Sequence, residues 1–316
     1  MRYLVTGGAG FIGSHVVDRL LSLGHTVAVA DCFDDFYDRR HKDANLRAAR
    51  SHPRCSVYEL DLRDAAAVNS ACAAAKPDVV IHLAARAGVR PSIENPRLYF
   101  EMNVGGTLNV LEAARRLGPA RVVFASSSSV YGNLEKVPFS EDDPTDRPIS
   151  PYAAGKKMGE HLCHTYHAAY GLSAVCLRFF SVYGPRNRPD MAVAKFTRAV
   201  EFGEPVPMYG DGSSARDYTY IDDVVDGILA AADRCEGFDI FNLGRSEPIH
   251  LRDLIDAVAA AVGKPARVQV LPAKPGDVER TCADIARSRA RLGYDPQIPL
   301  SEGLARYVAW FRANPS

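Results

Sequence analysis

The sequence lacks an excess of charge of either sign, and it lacks a long apolar run. Lysine plus arginine and aspartate plus glutamate number 38 each in 316 residues, which argues against a protein of nucleic acids or of membrane surfaces. No apolar run approaches the roughly 20 residues of a membrane span. The seven cysteines are scattered without a C-x-x-C pair, so neither a metal site nor a disulfide framework is predicted. We therefore expect a cytoplasmic globular protein with reduced thiols.

The amino-terminal segment reads as strand, glycine turn and helix. Tyr3–Thr6 is followed by Gly7-Gly8-Ala9-Gly10-Phe11-Ile12-Gly13 and then by apolar residues at helical spacing up to Leu21. Such glycines allow a tight turn and the close approach of a pyrophosphate, and the helix N-terminus offers N–H donors to the anion. Asp31 ends the next predicted strand, where a carboxylate accepts from ribose hydroxyls and disfavours a 2′-phosphate. This pattern predicts NAD as the cofactor.

A second group of polar residues lies near the middle of the chain. Ser126–Ser129 directly follow the apolar run 121–125, which predicts hydroxyls at the carboxyl end of a buried strand, where open α/β sheets bind ligands. Ser150-Pro151 predicts a helix start, so that Tyr152 and Lys156 share one helix face. The lysine ammonium favours the phenolate form of the tyrosine. We expect these groups to remove a proton from a substrate alcohol while a hydride leaves its carbon.

Apolar strands alternate with helices over the first 180 residues, which predicts an α/β fold with a doubly wound parallel sheet, the Rossmann arrangement. Further strands are predicted at 57–62, 78–85 and 173–180, and helices at 95–117 and from 151 onward. We predict that residues 1–180 form the NAD-binding domain. Residues 181–316 are predicted to form a smaller, interleaved α/β substrate domain, from which a strand near 238–242 returns to the main sheet.

Two residues at predicted strands carry alternative interpretations. Asp61, at the end of strand 57–62, is equally compatible with a contact to the adenine ring and with an N-cap of the helix that starts near Asp64. His82 lies inside an uninterrupted apolar strand, which favours a core histidine over a catalytic one.

With these motifs in this order, the whole chain resembles the extended short-chain dehydrogenase/reductase family, in its nucleotide-sugar epimerase and dehydratase branch. The resemblance implies that Ser127, four residues before Tyr131 of Val130-Tyr131-Gly132, is a catalytic residue beside Tyr152 and Lys156. It implies that diphosphate-binding arginines are Arg216 and Arg280. The NAD contacts that it implies are Gly7, Gly10, Phe11, Ile12, Gly13, Asp31, Asp61, Leu62, Leu83, Ala84, Ala85, Asn103, Tyr152 and Lys156.

The resemblance also bears on the reaction and the substrate. Dehydratases and uronate decarboxylases of this branch typically carry an acid directly before Val-Tyr-Gly, where this chain has Ser129. That difference leaves 4-epimerisation through a transient 4-keto sugar. The stretch Arg188-Pro189-Asp190-Met191 is similar to UDP-glucuronate 4-epimerases, which implies interconversion of UDP-glucuronate and UDP-galacturonate. The substrate carboxylate is then held by Ser128, Ser129, Ser181 and Arg188, next to the catalytic Ser127.

Three alternatives remain open at this point. A UDP-glucose/galactose 4-epimerase has the same first-domain pattern but usually carries Asn where Ser181 stands. A net NAD-dependent dehydrogenase would release reduced cofactor. A non-catalytic NAD sensor would share the fold without turnover. The resemblance further implies a homodimer that pairs the helices 95–117 and 151–170.

Overall fold

The chain is built on parallel strands connected by helices, and a computed structural model describes residues 1–118, 121–234, 236–272 and 278–314. The strands are β1 Arg2–Thr6, β2 Thr26–Asp31, β3 Cys55–Glu59, β4 Val79–His82, β5 Arg121–Ser127, β6 Ser173–Phe179, β7 Ser181–Tyr183, β8 Pro205–Tyr209, β9 Ala215–Tyr220, β10 Phe238–Leu243, β11 Pro248–His250 and β12 Arg267–Leu271. The α-helices are α1 Phe11–Ser22, α2 Arg39–Asn45, α3 Arg47–Arg50, α4 Ala65–Ala75, α5 Val89–Glu94, α6 Pro96–Phe100, α7 Gly106–Leu117, α8 Pro151–Tyr170, α9 Ala192–Phe202, α10 Ile221–Arg234, α11 Leu251–Val262, α12 Ala286–Leu292 and α13 Leu300–Ala313.

Seven strands form the main sheet in the order β10-β6-β5-β4-β1-β2-β3. Every neighbouring pair is parallel. The strand order reverses between β1 and β4, so a crevice opens there at the carboxyl ends of the strands. The doubly wound α/β sheet predicted from the sequence is therefore confirmed.

The edge strand β10 comes from the last third of the chain. It lies beside β6 with Ile240 opposite Cys176. Two small sheets, β11-β9-β7 and β12-β8, complete the architecture. In the first, β7 and β9 are parallel with Ser181 opposite Tyr218. The sequence does not predict β7, because three residues are too few to show an alternating pattern.

The helix predicted over 95–117 is interrupted. It consists of α6, a π-helical turn at Glu101–Gly105, and α7. The wider turn carries Asn103, which is 3% exposed and whose amide accepts from the backbone N–H of Arg86 at 2.8 Å and donates to its carbonyl at 3.0 Å. Such π-turns inside helices are frequent at functional sites. Hydrophobic periodicity cannot reveal a turn that leaves the pattern on both sides intact.

A buried ion pair fixes α8 to the sheet. Arg178 of β6 donates to Glu160 of α8 at 2.8 and 2.9 Å, and Ser126 of β5 donates to the same carboxylate at 2.6 Å. Burial acts to raise the pKa of Glu160, but the bonds from Arg178 and Ser126 outweigh it and hold that pKa below its ordinary value. The helix approaches β5 so closely that a Cβ on Gly159 would lie 2.2 Å from Cζ of Phe124.

The part of the chain that the structure describes contains no helix that is both long enough and apolar enough to cross a membrane. In the same part, Cys72, Cys163, Cys176 and Cys282 are buried free thiols. Cys235 lies outside the described residues.

Candidate active site

A cavity lies at the carboxyl edge of the main sheet, above β1, β2, β4 and β5. The predicted site residues that line it are Gly7, Gly10, Phe11, Ile12, Gly13, Asp31, Asp61, Leu62, Leu83, Ala84, Ala85, Tyr152, Lys156 and Arg188. Asn103 is not part of this lining and instead supports the backbone of Arg86, in the loop after β4. The structure thus gathers residues from six separate segments into one site.

The glycine turn brings the start of α1 against β4. Gly7 has a φ of +69°, and a Cβ there would lie 2.7 Å from Cα of Ala84. A Cβ on Gly13 would lie 2.1 Å from the carbonyl oxygen of Gly7. Within the described residues, α1 has no side-chain cap and no acidic residue in its first turn, so its N-terminus is positive and open to an anion. These features fit the pyrophosphate of a dinucleotide.

Asp31 lies at the end of β2 and is 7% exposed. Its carboxylate accepts from the backbone N–H groups of Ala9 at 3.0 Å and Phe33 at 2.9 Å, and Nζ of Lys42 lies 3.6 Å away. Burial raises the pKa of Asp31, while Lys42 and the two N–H groups act against that rise. Lys42 also lines the cavity and pairs with Asp34 at 2.5 Å. The sequence does not reveal Lys42, since polar residues surround it on both sides.

Asp61 forms an ion pair and does not cap a helix. Asp61 pairs with Arg63 at 2.5 Å, and the hydrogen bond from Arg63 holds the pKa of Asp61 below its ordinary value. Asp64, not Asp61, caps α4 by accepting from the N–H groups of Ala66 and Ala67. The N-cap interpretation of Asp61 is therefore wrong, and its place in the cavity lining is compatible with the cofactor contact.

His82 is a core residue, as the sequence predicts. Its Nδ1 lies 2.6 Å from Oγ1 of Thr6 and its Nε2 lies 2.9 Å from Oγ1 of Thr107. The Thr107 hydroxyl donates to the carbonyl of Asn103 at 2.5 Å, so it accepts from Nε2–H and leaves Nδ1 to accept from Thr6. Burial, with a contribution from Lys156, lowers the pKa of His82 to about 3.

Tyr152 and Lys156 lie on one face of α8, whose start is capped as predicted: the Ser150 side chain accepts from the N–H of Ala153 at 3.1 Å. Burial raises the pKa of Tyr152, whereas a hydrogen-bonding interaction with Ser127 and the charge of Arg188 lower it. Burial lowers the pKa of Lys156 to about 8.

Two cations lie near the Tyr152 phenol, and they are oriented differently. Nζ of Lys156 donates to the carbonyl of Ala125 at 2.6 Å and lies 5.9 Å from the ring centre of Tyr152. The ammonium is thus turned toward β5, and the charge of Arg188 lowers the pKa of Tyr152.

The serine run forms a tight turn after β5. The Ser127 hydroxyl accepts from the N–H of Ser129 at 3.2 Å and from its hydroxyl at 2.9 Å. Ser128 begins a short 3-10 helix that ends at Tyr131. Ser126 lines the cavity but its hydroxyl is engaged by Glu160. The turn therefore directs Ser127, rather than Ser126, toward Tyr152.

Arg188 reaches the same cavity from the loop between β7 and α9. Its Nε and Nη2 donate to Asp190 at 2.9 and 2.8 Å, and its guanidinium lies 5.4 Å from the ring centre of Phe36. Phe36 also contacts the guanidinium of Arg86 at 5.3 Å. Asp190 and Phe36 thus fix the guanidinium in orientation, and neither is singled out as a site residue by the sequence.

A second cavity is lined by Ser181, Val182, Tyr183, Asn187, Met191, Ala192, Val193, Arg216 and Tyr218. Arg216 donates to the carbonyls of Ala215 at 2.9 Å and Glu279 at 3.2 Å. Arg280 is exposed and lies beside Ala215 through an isolated bridge. Of the predicted substrate residues, Arg188 lines the first cavity and Ser181 and Arg216 line the second, whereas Ser127, Ser128, Ser129 and Arg280 line neither. The chain neighbours Asn187 and Arg188 line the second and the first cavity respectively.

Residues 3–244 match the family model described as the NAD dependent epimerase/dehydratase family. The chain belongs to this family. Its cofactor is NAD, and the glycine turn, the open N-terminus of α1 and Asp31 of this epimerase/dehydratase fit that dinucleotide. When bound, NAD supplies reversible hydride acceptance.

Relatives of this family member include a UDP-glucuronate 4-epimerase of Thermodesulfobacterium geofontis, 41% identical, with 99% of this chain and 96% of the relative covered. Among solved structures, the UDP-glucuronic acid 4-epimerase of Bacillus cereus in complex with UDP-glucuronic acid and NAD has a TM-score of 0.93 at 35% identity, with 99% of both chains covered. The UDP-glucose 4-epimerase of Thermus thermophilus in complex with NAD has a TM-score of 0.90 at 40% identity, again with 99% of both chains covered.

Proposed function

We propose that this protein interconverts UDP-glucuronate and UDP-galacturonate by NAD-dependent inversion at C4 of the sugar. The observation that carries the proposal is the presence of Arg188 and Tyr152 in one cavity, so that a carboxylate-binding group and a candidate base address the same sugar. The similarity to UDP-glucuronate 4-epimerases over nearly the whole chain supports it. The lack of an acid at Ser129 supports epimerisation over elimination.

Tyr152 is the proposed base that takes the proton from the sugar O4 while a hydride leaves C4. Burial disfavours its phenolate, so nearby positive charge is needed to make deprotonation accessible. Arg188 supplies that charge, and Lys156 holds a second positive charge beside the ring. Ser127 shares the hydrogen bond of O4 and keeps the phenol oriented.

Ser128, Ser129, Ser181 and Arg188 are the proposed clamp for the substrate carboxylate. A 4-keto uronate is a β-keto acid, and it loses CO2 readily only when the bond from C5 to the carboxylate is parallel to the carbonyl π system. Arg188 can bind a carboxylate through charge-assisted bonds, and Asp190 and Phe36 hold its guanidinium in place. The clamp thereby keeps the carboxylate away from the orientation that favours decarboxylation.

The nucleotide end is assigned to Arg216 and Arg280, near the second cavity. Their charges hold the diphosphate while the sugar swings about it and presents its opposite face for return of the hydride. Residues 1–180 then carry the cofactor and 181–316 mainly the nucleotide sugar, apart from β10, which belongs to the main sheet.

The alternative substrate is UDP-glucose, which the 40% identity to the Thermus thermophilus enzyme brings into consideration. Purified protein incubated separately with UDP-glucuronate and UDP-glucose, with NMR of the products, distinguishes the two. Turnover of UDP-glucose alone would contradict the uronate proposal. Net formation of reduced nicotinamide during turnover would indicate a dehydrogenase, and full activity of Tyr152→Phe would support the non-catalytic sensor.

The same proposal includes a cytoplasmic homodimer. Phe100, Leu108 and Met158 are exposed large apolar side chains on α6, α7 and α8. Helices α6 and α7 both pack against α8, which supports a shared surface that a second copy covers.

A further inference from the structure

The second cavity contains a buried amide for which neither the mechanism nor the comparisons provide a role. Asn187 is 7% exposed and lies in the loop between β7 and α9, where its backbone N–H donates to the carbonyl of Gly184 at 3.1 Å. Within the described residues, neither Oδ1 nor Nδ2 of its side chain has a hydrogen-bond partner. A buried amide with both groups unpaired is unfavourable in the free protein. The position therefore suits a ligand that supplies one donor and one acceptor.

The neighbours of Asn187 indicate which part of the substrate meets it. Ser181 and Arg216 line the same cavity. Ser181 is paired in register with Tyr218 across β7 and β9, and Arg216 lies two residues before Tyr218, on the same face of β9. The proposed function assigns the sugar carboxylate to Ser181 and the diphosphate to Arg216. In a UDP-hexuronate, the sugar ring separates these two anionic groups.

We propose that Asn187 is a specificity-determining residue that binds the sugar ring, donating from Nδ2 and accepting at Oδ1 with ring hydroxyls. This inference rests on the substrate placement of the proposed function. A hydroxyl both donates and accepts, so it satisfies both amide atoms, whereas phosphate or carboxylate oxygens would leave Oδ1 without a donor. The same wall of the cavity has apolar parts formed by Val182, Met191 and Val193. Apolar contacts do not depend strongly on direction, so the hydrogen bonds of the Asn187 amide orient the sugar ring against this wall.

The test compares wild-type holoenzyme with Asn187→Leu, which has a similar volume and no side-chain donor or acceptor. We expect the affinity for UDP-glucuronate to fall roughly 10- to 100-fold, as for two lost hydrogen bonds, while the affinity for UDP stays within about twofold. The melting temperature of the free protein should rise, because two unpaired polar groups are removed. Isothermal titration calorimetry and thermal melting measure these effects, and Asn187→Ala repeats the comparison if leucine disturbs folding.

Thr197→Val is the matched control. Thr197 is fully buried on α9, and its hydroxyl also lacks a partner among the described residues, but it does not line the cavity. This variant should also melt at a higher temperature and keep wild-type affinity for both ligands.

Equal loss of affinity for UDP and UDP-glucuronate would overturn the assignment, because Asn187 would then contact the nucleotide. Unchanged affinity for both ligands would overturn it as well. Failure of the proposed function is seen separately, as binding of UDP-glucuronate without product in the turnover assay. If the wild type binds only UDP-glucose, the loss of affinity in Asn187→Leu is measured for UDP-glucose and compared with the loss for UDP. The glucose ring carries the same kind of hydroxyls, so the same difference is expected.

Discussion

Half-buried Tyr152 and buried Lys156 and His82 show how the surroundings of a single residue shift its pKa. Burial raises the pKa of Tyr152, lowers that of Lys156 to about 8 and lowers that of His82 to about 3. The first two groups meet the cavity and the third lies behind it, between two threonine hydroxyls. His82 is thereby restricted to a neutral, structural role.

The neutral state of His82 makes stability depend on pH. Its folded pKa is about 3, below the ordinary value near 6.5, so below that value the unfolded chain binds a proton that the folded protein does not. Stability therefore falls as pH falls from about 6.5 toward 3, by about 2 kcal/mol at about pH 5 from this group. In urea unfolding at about pH 7.5 and about pH 5, His82→Asn should lose less stability on acidification than wild type. His161→Asn, at an exposed position on α8, should retain the wild-type difference.

The proposed function makes substrate choice depend on Arg188. We expect Arg188→Ala to lower kcat/KM for UDP-glucuronate roughly 10- to 100-fold, the equivalent of a lost charge-assisted hydrogen bond. Any turnover of UDP-glucose should fall less. Arg198→Ala is the control, since Arg198 forms a surface pair with Glu204 and contributes little. Equal effects of Arg188→Ala on both sugars would contradict a role of Arg188 in binding the carboxylate. The CO2 released from UDP-glucuronate by Arg188→Ala should increase if the clamp suppresses decarboxylation.

At the scale of elements, local sequence signals predict those parts of the site whose geometry is also local. The glycine turn with α1, and the start of α8 at Ser150-Pro151, are formed by residues close together in the chain, and both appear as predicted. The third strand ends at Glu59 instead of residue 62, because its pairing with β2 stops at Asp31. Lys42 and Asn187 enter the cavities through tertiary contacts, and no periodicity marks such residues.

The glycine turn gives a direct test of cofactor binding. Gly13→Ala would place a Cβ 2.1 Å from the carbonyl of Gly7, so the turn must shift away from the pyrophosphate position. We expect the variant to fold with its NAD content lowered at least tenfold, measured by release of the nucleotide on denaturation. Gly105→Ala is the matched control, because a Cβ there meets nothing within 4 Å. Full NAD occupancy in Gly13→Ala would contradict the assignment of this turn.

The ion pair between α8 and β6 gives a test of stability. Arg178→Met leaves the Glu160 carboxylate, which is 1% exposed, without its guanidinium, and we expect a loss of about 3–5 kcal/mol in the free energy of unfolding. Replacing Glu160 by Met in addition should restore much of that loss, since the buried carboxylate, which Lys157 alone would still pair with at 3.2 Å, is then gone. Denaturant unfolding of the two single variants and the double variant measures the coupling. Strictly additive losses would show that the two side chains do not act as a pair.

At the scale of the whole molecule, exposed apolar side chains of α6, α7 and α8 form the surface that we propose as the dimer interface. Leu108 is 40% exposed on α7, and we expect Leu108→Glu to convert a homodimer into monomers, measured by light scattering during size exclusion. Leu23→Glu is the control: Leu23 is 58% exposed at the end of α1, which packs against α10. A monomeric wild type, or a dimer unaffected by Leu108→Glu, would rule out this surface as the interface.

The return of β10 to the edge of the main sheet means that the chain is not two modules joined end to end. Its hydrogen bonds to β6 are made by residues 238–243, well after the polypeptide has left the cofactor side to build β7, β8 and β9. A chimera that takes everything after residue 180 from a relative would therefore also take β10 from that relative. The main sheet of the cofactor domain would then have an edge strand that did not come from its own chain. Exchange of sugar preference between such enzymes is structurally cleanest when the loops and small sheets are transplanted and this one strand stays with its host.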